Sequence, residues 1–103
     1  MSYVYPHPVT NGTALILNSL PSTSLKIGHQ YSINWYAEGD IVVGNLKLEL
    51  YIGMEKVGDI AVVNSSNGSY NWTVPETLIP GEYYRIRIFQ GAIMDISDEF
   101  TVE

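Results

Sequence analysis

The chain contains no cysteine, which removes disulfide frameworks, thiolate zinc sites and cysteine nucleophiles together. Basic side chains are also scarce, five Lys and Arg against eleven Asp and Glu, for a formal charge of −6. That balance argues against nucleic acid, whose phosphates demand clustered cations, and against an anionic membrane surface. No apolar run approaches the roughly 20 residues of a spanning helix, so no membrane insertion is expected. The opening "MSYVYPHPVTNGT" lacks the basic and apolar regions of a secretory signal. Its prolines read as a linker or N-terminal extension over residues 1–12, leading into one domain over 13–103. That division suits a module excised from a longer chain; the other reading is an intracellular protein. Phenylalanine is rare, two against eight tyrosines, a balance that suits strands wet on one side.

What is present is alternation. Gly and Pro recur at short intervals, and no amphipathic helix lies between them. Ala14 to Leu17 forms a first strand, ended by Pro21. "HQYSINWY" sends Tyr31, Ile33 and Trp35 to one face. "LKLELYI" sends Leu46, Leu48, Leu50 and Ile52 inward, with Lys47, Glu49 and Tyr51 outward. Gly53 to Glu55 turns the chain into a strand over Val57 to Val63, and "NSSNG" turns it again. "SYNWTV" points Tyr70, Trp72 and Val74 inward, and "SDEFTV" does the same with Phe100 and Val102. Seven or eight short strands at this spacing predict an all-β antiparallel sandwich.

"LIPGEYYRIRIF" decides between a site and a corner. Leu78, Pro80, Gly81 and Tyr84 resemble the tyrosine corner of fibronectin type III and immunoglobulin-like sandwiches, where a Tyr at the start of strand F bonds backbone upstream. Tyr84, Ile86 and Ile88 then face the core, and Tyr83, Arg85, Arg87 and Phe89 face outward. In that arrangement the two arginines lie between Lys47, Glu49 and Tyr51 on one neighbour and Ser97, Glu99 and Thr101 on the other. Two readings stay open for this face: a ladder of cross-strand charge pairs, and a partner-binding surface rich in Arg and aromatics. The candidate binding residues are Tyr36, Lys47, Tyr51, Tyr83, Arg85, Arg87 and Phe89.

From Ala14 to Glu103 the chain resembles the N-terminal module of fungal cell-wall assembly proteins, a family that includes Ser/Thr-rich GPI-anchored surface proteins. "LILNSLP", "LKIGHQYSINW", "LKLELY", "GSYNWTVPETLIPGEYYRIRI" and "SDEFTV" carry the resemblance in order. It implies an immunoglobulin-like sandwich outside the cell or at its surface, with Trp35, Trp72, Pro75, Tyr84 and Phe100 as core and turn positions. It transfers no catalytic site. Four sequons, at Asn11, Asn64, Asn67 and Asn71, agree with a surface location, although Asn-Gly and Asn-Ser also serve turns.

Chemistry is sparse. His7 lies between prolines and His29 beside Gly28, neither with a nucleophile motif nearby. Asp95, Asp98 and Glu99, and Glu38 with Asp40, could attract Ca²⁺ weakly, but their spacing matches no EF-hand loop, and solvated acidic turns explain them. No enzyme activity, metal site or cofactor is expected. The expected function is a spacer or a protein-interaction (adhesion) module, with a protein or cell-wall polysaccharide as partner. Tyr36, Tyr51 and Tyr83 are the rings to test for sugar stacking. A self-associating subunit is the further alternative, using "SYVY" to extend a neighbour's sheet.

Overall fold

A computed structural model describes residues 14–38 and 44–103. The expected linker, His7, Asp40, the Asn11 sequon and "SYVY" lie outside the described residues. Nine strands follow in order: β1 (Ala14–Leu17), β2 (Ser24–Leu25), β3 (Gln30–Glu38), β4 (Asn45–Ile52), β5 (Glu55–Asn64), β6 (Ser69–Thr73), β7 (Gly81–Gln90), β8 (Ile93–Ile96) and β9 (Phe100–Val102). They build two sheets, β1-β3-β6 and β2-β9-β7-β4-β5, with β8 paired to the far end of β7. Every pairing is antiparallel except the short β2–β9 contact. The all-β, immunoglobulin-like sandwich read from the alternation is the fold observed.

The two sheets meet over a core of inward side chains: Ile33, Trp35 and Trp72 from the smaller, and Leu46, Leu48, Leu50, Ile86 and Ile88 from the larger. An aromatic seam joins them. Phe100 stacks on Tyr84 at 6.1 Å and takes Trp72 edge-on at 6.4 Å, geometries that suit the ring quadrupoles. The Trp35 indole donates to the Ser65 carbonyl at 3.0 Å, and its backbone N–H to the Gly68 carbonyl. That pins the crossing from β5 to β6. There Asn64 caps a short 3₁₀ turn (Ser65–Asn67) by accepting from the Ser66 N–H, and Gly68 closes it at φ +73°.

Three positions depart from the alternation. Ile52, expected inward, is exposed, because β4 outruns the core at its C-terminal end. Glu49, expected outward and wet, is only 7% exposed. Ser97, expected outward, is buried: its hydroxyl accepts the Ile86 N–H at 2.9 Å and its own N–H donates to the Ile86 carbonyl. A side chain thus stands in for a rung of the ladder where the last strand breaks into β8 and β9. That break and the two-residue β2 raise the strand number above seven or eight.

Candidate interaction face

The stretch "LIPGEYYRIRIF" forms a corner. The Tyr84 hydroxyl donates to the Ile79 carbonyl at 2.5 Å while its ring is buried. Burial pushes the Tyr84 phenol up. Just before it β7 is irregular: Tyr83 sits at φ +74°, the only described non-glycine residue in the left-handed region. Its carbonyl accepts the Gly53 N–H, and its ring is 58% exposed.

Beyond the corner, register fixes the outer face of the larger sheet. Val62, Lys47, Phe89 and Met94 form one row across β5, β4, β7 and β8. Glu49, Arg87 and Ile96 form the next, and Lys56, Tyr51 and Arg85 the third. Glu49 is the hub. It receives Lys56 at 3.0 Å, the Tyr51 hydroxyl at 3.2 Å and Arg87 at 3.8 Å. Arg87 also donates to the Tyr51 hydroxyl at 3.1 Å and lies 4.1 Å over the Phe89 ring, a cation–π contact. Lys56 meets Asp59 at 2.8 Å. The paired Asp59 and Glu49 hold the Lys56 ammonium above its usual value, and Lys56 holds the Asp59 carboxyl below its own. Arg85 reaches Glu99 at 3.5 Å. Among the described residues Lys47 alone of these cations makes no ion pair. It sits instead between Val62, 63% exposed, and Phe89, with Met94 beyond at 42%.

The structure therefore brings Lys47, Tyr51, Arg85, Arg87 and Phe89 together. Tyr36 is not with them: β3 belongs to the smaller sheet, and Tyr36 pairs with Ile16 there. Tyr83 lies at the end of β7, where the bulge re-aims it. Lys56, Val62, Met94 and Ile96 join the face without having been read from the sequence. The apolar, charged, apolar order of "IMDI" after Gly91 was the available signal for two of them. Lys56 and Val62 depend on two register shifts between β4 and β5, which alternation alone does not show.

The remaining candidates are structural or exposed. Asn67 and Asn71 are exposed, and the Asn64 amide oxygen also accepts the Ser66 hydroxyl at 2.7 Å. A groove of about 560 Å³ runs between residues 18–23 and 95–100. Asp95 is turned into its wall, accepting the Leu17 N–H at 2.7 Å, and Glu99 faces Arg85. No group of three or more His, Asp or Glu among the described residues is arranged to share an ion. His29 is an exposed turn residue whose backbone bonds Lys26 and Val74.

Two sheets, a tyrosine corner and a last strand shared with β2 define an immunoglobulin-like module. The chain belongs to the Kre9/KNH-like N-terminal Ig-like domain family, whose model matches residues 19–102. That family is associated with fungal cell-wall proteins and is generally non-catalytic, so this is a cell-wall-related module. No curated protein and no solved structure matches the chain.

Proposed function

We propose that this domain is a non-catalytic extracellular adhesion module that docks a partner protein through the outer face of its larger sheet. The observation that carries the reading is the row Val62, Lys47, Phe89 and Met94: a cation without an ion pair, set among exposed or half-buried apolar side chains, beside the charge network centred on Glu49. Surfaces of this kind, apolar at the centre with Arg and aromatics around, are those that bind proteins. A sugar platform has less support. Tyr36 is on the smaller sheet, apart from Tyr51 and Tyr83 on the larger, and the Tyr51 hydroxyl is committed to Glu49 and Arg87.

The test is binding of fluorescent domain to intact cells of its source, before and after surface proteolysis. Protease treatment is expected to abolish binding, and Lys47→Glu with Met94→Glu to weaken it about tenfold or more with only a small change in melting temperature. Binding that survives protease and is lost on periodate oxidation, or a clear hit on a glycan array, replaces the reading with the carbohydrate one.

A spacer role is favoured by one further observation. β1 begins beside Glu38 at one end of the sandwich, whereas Glu103 bonds Leu25 and Ile27 at the other. A domain entered and left at opposite ends separates whatever flanks it. Absence of binding to intact cells leaves that role as the function.

A further inference from the structure

Charge is unevenly distributed over this molecule. The outer face of the larger sheet holds four of the five basic residues, Lys47, Lys56, Arg85 and Arg87, with three carboxylates, Glu49, Asp59 and Glu99. Its net charge is +1, which leaves −7 on the rest of the chain. One end of the sandwich carries an excess of acid: Glu55, Glu76, Glu82 and Glu103 lie at that end with a single basic residue, Lys26. The same end exposes large apolar side chains, Met54 at 97%, Ile79 at 77% and Tyr83 at 58%.

Tyr83 adds a second, independent observation. A non-glycine residue in the left-handed region is strained, and such residues concentrate at functional sites. Here that conformation turns a tyrosine ring outward at the acidic end, where Gly or Asn would fit the backbone at less cost.

The two surfaces complement each other, apolar against apolar and acidic against basic. We propose that a second copy of this chain is the occupant of the large-sheet face, seating its acidic end, with Met54, Ile79 and Tyr83, on the row Val62, Lys47, Phe89 and Met94. This rests on the reading of that face as a docking surface. Lys47 meets a carboxylate of the incoming end, and the methionines and valine are removed from water. The overall charge of −6 opposes other approaches and leaves this orientation favoured. Because the two surfaces differ, the contact is heterologous: each copy receives one neighbour and is received by another, so association is open-ended.

The experiment is sedimentation equilibrium of the whole chain over a wide concentration range, with two variants at exposed positions. Lys47→Glu with Met94→Glu spoils the face, and Met54→Ser with Ile79→Ser spoils the end. The wild type is expected to rise in mass past the dimer. Each variant alone is expected to lose association about tenfold or more, and an equimolar mixture to stop at a dimer, because one intact face meets one intact end. Circular dichroism verifies that both variants are folded, and Lys47→Gln serves as a milder face variant expected to weaken association several-fold.

A wild type that stays monomeric overturns the proposal. So do variants that associate as the wild type does, or a mixture that stays monomeric. A monomeric wild type whose cell binding is still lost on the face substitutions overturns self-docking alone. If cell binding is also unaffected, the docking face falls with it.

Discussion

At the scale of single residues, Tyr84 in the core and Glu49 on the outer face show how buried polar atoms are accommodated. Tyr84→Phe removes only a hydroxyl, and with it the bond to Ile79. The expected loss is about 1–2 kcal/mol, measured by urea unfolding near neutral pH. The same hydroxyl makes stability pH-dependent. Burial holds the folded phenol above its usual value, so the unfolded chain ionises first. The contribution is intact below pH about 10 and is lost as pH rises through the folded value. The alkaline decline is therefore expected to be shallower in Tyr84→Phe than in the wild type. Glu49→Gln tests the other case. It leaves Lys56 and Arg87 with a neutral acceptor in place of a shared carboxylate. Both cations are partly exposed, so the expected cost is about 1–2 kcal/mol rather than that of a fully buried pair, read from the same unfolding curves.

At the scale of elements, the turns carry the register. β4 and β5 are joined by Gly53 and Met54 alone, with Gly53 at φ +61° and Met54 not in that region, the pattern of a type II′ hairpin. Gly53→Ala is expected to cost about 1 kcal/mol through backbone strain, although open space surrounds the site. Gly58→Ala meets equally open space without a positive φ, and is expected to be neutral or to stabilise by up to about 1 kcal/mol. Denaturation midpoints of the pair decide. These elements also mark what was legible in advance. "LKLELY" reads as a strand because its period matches a sheet wet on one side, and "PGEYY" as a corner because turn residues precede the tyrosine. Glu49 was legible as a neighbour of the arginines but not as a buried hub, since Lys56 reaches it from β5, across register shifts that alternation does not show. Ser97 was not legible as buried either, because a hydroxyl replacing a ladder rung still looks polar and outward in the alternation. Of the candidate face, the Arg–aromatic alternation of β7 was visible, whereas Tyr36 went to the wrong sheet for the group, a matter of topology rather than of local pattern.

At the scale of the whole molecule, the core and the proposed docking face lie on opposite faces of the same strands. The inner faces meet in one aromatic seam, and Phe100 sits at its centre, touching Tyr84 from its own sheet and Trp72 from the other. It lies on β9, which pairs with both β2 and β7. Deleting its ring removes apolar burial and opens a cavity between sheets that relax little. Phe100→Ala is therefore expected to cost about 3–5 kcal/mol, a third or more of what a domain of this size commonly has. The melting temperature should fall by tens of degrees, at about 4–8 °C per kcal/mol, with near- and far-UV circular dichroism moving together because both sheets share the seam. Lys47→Glu with Met94→Glu alters only exposed side chains on the outward faces of β4 and β8. Surface changes of that kind stay within about 0.5 kcal/mol each, so its melting temperature should shift by only a few degrees. Thermal melts of the two variants side by side test the separation. If Lys47→Glu with Met94→Glu melts as low as Phe100→Ala, the outer row is holding the sheet together rather than waiting for a partner.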